Sequence, residues 1–374
     1  ARVLTAGALD IGEKPSVISA IVKYHLTENM RIVINDAMDV VGGAGICLGP
    51  KNFLGRVYQA VPISITVEGA NILTRSMIIF GQGAIRSHPY IFQEMSALDE
   101  DDWDTSIKKF DKAFFGHIRF FISNFTRSFL HGLTASIFVY TGAKRPARKY
   151  YKKLTRISTV FGLLSDVSLL TLGASLKRKE KISARLGDIL SYMYLATATL
   201  KRFEMQGCIK EDIPLLKWSC DMLLYKTQIA IDGLLQNLPN RFAAMLLRIV
   251  IFPIGRWFSP PTDKLGHQVA QLLLTPSQSR DRLTKGMYMP DSDSAEPVAA
   301  LEDALVKIIK SEHIEKRLKK ELSGYQPGYQ VMDNMLAQAL EQNIISDDEA
   351  QVIRDAETAR WGVIQVDDFS PDLK

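Results

Sequence analysis

The sequence predicts an all-α protein. Apolar residues recur at three- and four-residue steps through most of the chain, the pattern of helices with one buried face. Short breaks separate these stretches, which favours antiparallel neighbours in a bundle. No run alternates apolar and polar residues as a half-buried strand would, and no internal repeat is present. Hydrophobic residues make up 47% of the 374 and charged residues 23%, enough to build a sizeable core. The length suits two or three domains, and composition shifts place segments at 1–92, 93–285 and 286–374.

The elements follow in order. From Pro15 to Val41, apolar residues at Ile18, Ile21, Val22, Leu26, Met30, Ile34, Met38 and Val41 share one helical face. Pro15 suits a first turn, and Gly42-Gly43 a stop. Residues 46–62 read as loop, punctuated by Gly49-Pro50 and Pro62. A helix of about fifteen residues follows Gly69 and ends near Ser87-His88-Pro89. Residues 93–110, carrying Asp99-Glu100-Asp101-Asp102, read as an exposed acidic connector. Helices are then expected at 111–142, 144–176, 180–206, 213–236, 240–258 and 263–274. Residues 286–298 form a linker rich in turn-forming residues. Helices at 299–322 and 328–343 come next, and Ser346 caps a last one at 347–361.

Several function classes find no support. Cys47, Cys208 and Cys220 lack a C-x-x-C spacing, so a reduced intracellular setting is expected and a disulfide framework or zinc site is not. His25, His88, His117, His131, His267 and His313 make no His-x₃-His pair, so no metal site is expected. Lys144, Arg145, Arg148, Lys149, Lys152, Lys153 and Arg156 fall together without an acid, but no zinc finger or RNA-binding aromatic motif accompanies them, and nucleic acid is not expected. Such a run is a solvated face or a contact for an anionic membrane. Residues 128–143 carry no charge but are too short to span a bilayer, and 157–176 read as a buried bundle helix. Residues 240–258 interleave Arg241, Arg248 and Arg256 with apolar residues and Trp257, which fits either an interfacial helix or a buried helix with paired arginines.

The chemistry concentrates in Val67-Glu68-Gly69-Ala70-Asn71-Ile72-Leu73-Thr74. A lone carboxylate ends an apolar run, and a residue without a side chain follows it. A carboxylate among apolar neighbours has its pKa raised toward the range of a general base, and Gly69 lets a ligand approach closely. The plainer reading is a Glu complementing a helix N-terminus. Upstream, a helical stretch ends in Gly42-Gly43-Ala44-Gly45, and Arg56-Val57-Tyr58 lies between that loop and the Glu-Gly turn. Arg75 lies two helical turns beyond Glu68, where a structural ion pair is expected.

This succession of helix, Gly-Gly-x-Gly loop, Arg-x-Tyr and Glu-Gly turn resembles the C-terminal helical domain of acyl-CoA dehydrogenases. Residues 176–188, Leu238-Pro239-Asn240-Arg241 and Arg280-Asp281-Arg282-Leu283-Thr284 resemble the extra C-terminal region of the long bacterial fatty acyl-CoA dehydrogenases of β-oxidation. The resemblance implies that 1–92 is part of the helical domain, 93–285 an additional helical bundle and 286–374 a linker with terminal helices. It also implies that the chain, which starts at Ala1, lacks a preceding helical domain and a β-domain.

For function, the resemblance implies FAD as cofactor and medium- to long-chain fatty acyl-CoA as substrate. Glu68 would be the base that takes the α-proton, with its own backbone N–H on the thioester carbonyl. Glu68 and Gly69 would line the substrate. Gly42, Gly43 and Gly45 would approach the flavin of a neighbouring subunit in a homo-oligomer, and Ala70 and Ile72 would lie where the flavin is contacted, through backbone or apolar contacts. Asp39, Ala70 and Ile72 depart from residues common in the family (Gln, Thr and a polar residue respectively). An electron-transfer flavoprotein as acceptor and a cytoplasmic place, with peripheral contact to the inner membrane, complete the expectation. The alternative is a non-catalytic helical module for oligomerisation or membrane docking.

Overall fold

The computed structural model describes residues 1–83, 88–291, 294–322 and 332–367, together with Asp372. Among them every regular element is a helix. The expected helix end at Ser87, part of the linker 286–298 and the start of the expected helix 328–343 lie outside the described residues. Contacts divide the chain into two interleaved compact units, one of residues 1–26 and 65–269, the other of 27–64 and 270–374. The segment 1–92 thus contributes to both.

The first unit contains α1 (Arg2–Asp10) and the first turns of α2 (Ser16–Val41). A short α4 (Asn71–Leu73) runs directly into a π-helical stretch, Thr74–Gln82. Then come α5 (Ile91–Leu98), α6 (Trp103–Leu133), α7 (Arg148–Leu172), α8 (Glu180–Met205), α9 (Ile213–Asn237) and α10 (Arg241–Ile251). Helices α6 to α9 pack as successive neighbours, α10 lies against α6, and the π-helical stretch lies on α8. The core is built from their inward positions, among them Tyr150, Ile157, Leu163, Leu186, Ile189, Leu200, Leu224 and Leu234. Helix α7 is apolar and long enough to cross a membrane by composition alone. Its apolarity serves packing here, because Leu154, Ile157, Val160, Leu163, Leu164 and Val167 are all buried in the bundle core.

The second unit holds the rest of α2, most of α3 (Gly55–Thr66), part of α11 (Asp263–Leu274), α12 (Gln278–Thr284), α13 (Pro297–Glu321), α14 (Met332–Glu341) and α15 (Asp347–Ile364). Helix α13 packs on α15, with Ile314, Leu318, Leu336, Ala339, Ile345 and Ile353 in a separate small core. Ser346 caps α15 as expected: its hydroxyl accepts from Glu349 N, while the Glu349 carboxylate accepts from Ser346 N.

Besides the helix expected at 111–142, which ends at Leu133 with Thr134 as its C-cap, three expectations need correction. Residues 46–62 are not all loop, since α3 starts at Gly55 and carries Pro62 inside it. A proline within a helix removes one N–H donor, and the tertiary setting here overrides that local signal. The acidic connector 93–110 is helical at both ends. Only residues 99–102 form the turn, where the Asp102 carboxylate caps α6 by accepting from Thr105 N at 3.0 Å. The segment 240–258 is helical only to Ile251, because Pro253 bars a helical Phe252.

Arg75 makes its expected structural ion pair. Its Nε and Nη2 donate to the Asp188 carboxylate of α8 at 2.8 and 2.6 Å. Beside it, a Cβ on Gly187 would come within 3.1 Å of the Arg75 carbonyl oxygen. Glycine at this point of α8 is therefore what lets the π-helical stretch close onto the bundle.

His25 is buried in this unit against the rings of Tyr24 and Tyr192, and its Nε2 has no hydrogen-bond partner among the described residues. Burial first, then the charges of Lys226 and Arg75, lower its pKa to about 4 from an ordinary 6.5. The unfolded chain therefore takes up this proton before the folded one does. His25 contributes nothing destabilising above the unfolded value, and stability falls as pH drops from there toward the folded value, by up to about 3 kcal/mol. Urea unfolding followed between those two pH values should show this loss, and His25→Leu should flatten it.

Candidate active site

The Glu-Gly turn leaves the C-terminal end of α3. Glu68 adopts φ +52° and Gly69 φ +85°, two successive residues in the left-handed region. Glycine takes this conformation readily; an L-residue such as Glu does so at a cost of about 1–2 kcal/mol. The turn is held from several sides. Thr74 N donates to Ala70 O at 2.9 Å, and Thr74 Oγ1 donates to Gly69 O at 3.2 Å. Lys23 of α2 donates its ammonium to Gly69 O at 2.8 Å, to the buried Asn71 Oδ1 at 2.7 Å and to Ile65 O at 3.5 Å.

Glu68 itself is exposed, as is Ile72, while Ala70 is half-buried. Exposed Val67, Leu73 and Met77 accompany them along the chain. The carboxylate thus stands on an exposed, largely apolar stretch of chain.

The glycine loop lies in the other compact unit. Gly42 to Gly45 form a single 3-10 turn at the end of α2. Gly42 has φ +56°, and nothing lies within 4 Å of where a Cβ would stand on Gly42 or Gly43. These two exposed residues present bare backbone to the outside. Gly45 faces inward instead, where a Cβ would strike Val41 and Met38 at about 3 Å. Gly42 and Gly43 therefore present open backbone, and Gly45 has a packing role.

Sequence reading missed two residues that organise these loops. Lys23 is one; nothing in its helical pattern distinguishes it from a solvated position. Asn52 is the other. Its Nδ2 donates to Ala44 O, Gly45 O and Cys47 O, and its Oδ1 accepts from Leu54 N and Gly55 N at 2.9 and 2.7 Å. One side chain thereby joins the glycine loop to the start of α3. Asn is a residue type that caps helix starts, but the proline within α3 hid the helix that Asn52 serves. The same loop meets the C-terminal segment, where Lys51 N donates to Asp367 Oδ1 at 2.9 Å.

A second polar cluster was also unforeseen. His88, His117 and Asp166 bring ligand-type atoms within 4.8 Å of one another. Their hydrogen bonds describe a network rather than a ligand set. His88 Nδ1 accepts from Tyr90 N and Ile91 N at 3.3 and 3.2 Å, which leaves the ring proton on Nε2. That Nε2 donates to Asp166 Oδ1 at 2.8 Å, so its lone pair is not available to a cation. His117 bridges Glu94 at 2.9 Å and Asp166 at 3.4 Å. The network ties the turn at His88 to α5, α6 and α7.

A family model described as acyl-CoA dehydrogenase, C-terminal, bacterial type matches residues 85–369, the larger part of the chain. The chain belongs to this family. No solved structure matches it. Acyl-CoA dehydrogenases are flavin oxidoreductases that usually bind FAD. The matched residues begin beyond both the glycine loop and Glu68, so the family assignment and the two motifs are independent observations.

Asn52→Ala should loosen the glycine loop. Losing the carbonyl and N–H partners together should cost about 1–3 kcal/mol. The amides of Leu54 and Gly55 should exchange faster with solvent while those of α13 and α15 keep their protection.

Proposed function

We propose that the protein takes part in FAD-dependent α,β-dehydrogenation of medium- to long-chain fatty acyl-CoA to trans-2-enoyl-CoA, with Glu68 as the base. The observation that carries this reading is the Glu68-Gly69 turn, held in a strained left-handed conformation in a chain of this family. Strain of this kind persists where surrounding contacts over-determine it, and it concentrates at functional sites.

Bound FAD would supply the acceptor for the hydride that leaves the β-carbon. The chain's own contribution is the other half of the reaction. The Glu68 carboxylate takes the pro-ton from the α-carbon, and the electrons of that C–H bond form the new double bond as the β-hydride leaves. Gly69 keeps the carboxylate's neighbourhood free of side-chain bulk. Exposed Val67, Ile72, Leu73 and Met77 offer apolar surface, and covering it would keep water from the reacting atoms. Gly42 and Gly43 would offer backbone N–H groups to the flavin of a neighbouring subunit, with Gly45 supporting that loop from within, and Ala70 and Ile72 would make apolar contact with a flavin beside Glu68. The acceptor that suits this reading is an electron-transfer flavoprotein, which would take up the electrons that bound FAD supplies.

Glu68→Gln in the flavin-loaded holoenzyme should retain flavin and substrate binding and lose about 10²–10⁴-fold or more in turnover. Near-normal turnover would remove Glu68 from the role.

A specific surface also favours peripheral membrane docking, the place where a long-chain acyl-CoA partitions. From Ala113 to Ser165 the chain carries no Asp or Glu, and it carries nine Lys and Arg residues. At the centre of that span, after α6 ends, Ile137, Phe138 and Tyr140 are 66%, 85% and 93% exposed, with exposed Lys144, Arg145 and Arg148 just beyond. An apolar tip beside a basic collar suits an anionic interface. The other basic residues of the run serve the fold: Arg156 is buried and donates to Ile251 O at 2.8 Å, and Lys153 lies over Tyr150 and Phe258. In the segment 240–258, Arg256 pairs with Asp232, so the docking role moves to the tip. The protein should co-sediment with phosphatidylglycerol vesicles at low salt and be released at high salt. Each exposed cation should contribute roughly 1 kcal/mol, so Lys144→Glu with Arg145→Glu should weaken binding strongly. Phe138→Ser with Tyr140→Ser should do the same; unchanged binding in both variants would contradict the assignment.

A further inference from the structure

The Glu68 turn raises a physical question that its own residues do not answer. It begins at the C-terminal end of α3, where helix carbonyls lack intrahelical donors and carry the negative end of the helix dipole. It then places a non-glycine residue and a glycine in the left-handed region in succession, at φ +52° and +85°. Three acceptors converge within this stretch: Ile65 O, Gly69 O and Asn71 Oδ1. All three lie within 3.5 Å of one donor, Lys23 Nζ. Asn71 is buried, only 3% exposed, and Lys23 is half-buried. An ammonium is a compact cation with three N–H donors, able to serve several acceptors at once. Its charge also opposes the negative helix end. An arginine's planar fork aims its donors differently and would not converge on the same three atoms.

We propose that Lys23 is the positioning residue of the Glu68 turn. It joins α2 to both sides of Glu68 and so sets where the carboxylate stands relative to the acyl α-carbon. The inference rests on the reading of Glu68 as base and adds the group that aims it. Misplacing a reacting group by about 1 Å can cost about 10²-fold in rate.

The test is a double-mutant cycle in the flavin-loaded holoenzyme with Lys23→Met, Glu68→Gln and the pair, measured with a fatty acyl-CoA. Lys23→Met should lower kcat by about 10–10²-fold with a smaller change in KM, since aiming acts on the proton-transfer step. On the Glu68→Gln background the same substitution should have little further effect, because there is no base left to aim. Lys23→Arg keeps charge and stem and protects against a folding artefact; it should fold like the wild type and recover only part of kcat. Wild-type kcat in both Lys23 variants, with Glu68→Gln inactive, overturns the positioning role and leaves the base assignment standing. Wild-type turnover in Glu68→Gln overturns the base assignment itself. Equal losses from Lys23→Met with and without Glu68 mean a purely structural effect and also overturn the proposal.

Discussion

The close approach of α8 to the π-helical stretch Thr74–Gln82 is the constraint on which the candidate site depends. Gly187 leaves room for the Arg75 backbone, and Asp188 next to it receives the Arg75 guanidinium through two hydrogen bonds. The two residues act together: the glycine sets the distance and the carboxylate sets the register. Because α8 is itself buried between α7, α9 and the π-helical stretch, this joint transmits the rigidity of the bundle to the segment that follows Glu68. A buried carboxylate such as Asp188 is costly to leave unpaired, which gives the pairing its specificity. The turn carrying Glu68 is therefore fixed at its far end by the bundle and at its near end by α2.

The glycine loop is built on different physics. Its openness comes from Gly42 and Gly43, where no side chain intervenes, and its order comes from the Asn52 amide, which satisfies carbonyls on one side and caps α3 on the other. A loop that must present bare backbone cannot be stabilised by its own side chains, so a neighbour supplies the hydrogen bonds. The same division recurs at the Glu68 turn. There Glu68 and Ile72 are exposed, and Lys23, Asn71 and Thr74, less exposed, hold the turn.

Much of the fold was legible from periodicity, because α7, α8, α9, α13 and α15 bury regular apolar faces that leave a plain three- and four-residue signature. What was not legible had identifiable causes. Pro62 masked α3, since a proline signal was taken at face value in a helix that tertiary packing sustains. The acidic run at residues 99–102 was read as a connector although one of its members, Asp102, was a cap. The Glu-Gly turn was legible because its signal is local in sequence, and Arg75 was legible as an ion-pairing residue only without its partner. Lys23, Asp188 and the His88–Asp166–His117 network were not, because each contact joins residues far apart in the chain and no spacing encodes them.

The account's central claim is that Glu68 moves the α-proton, and proton exchange tests it more directly than turnover does. The flavin-loaded holoenzyme would be incubated with a saturated fatty acyl-CoA in deuterium oxide without an electron acceptor, and deuterium at the α-carbon followed by mass spectrometry. The account predicts incorporation in the wild type and none above the uncatalysed rate in Glu68→Gln, with flavin content equal in both. Incorporation at the wild-type rate in Glu68→Gln would contradict it.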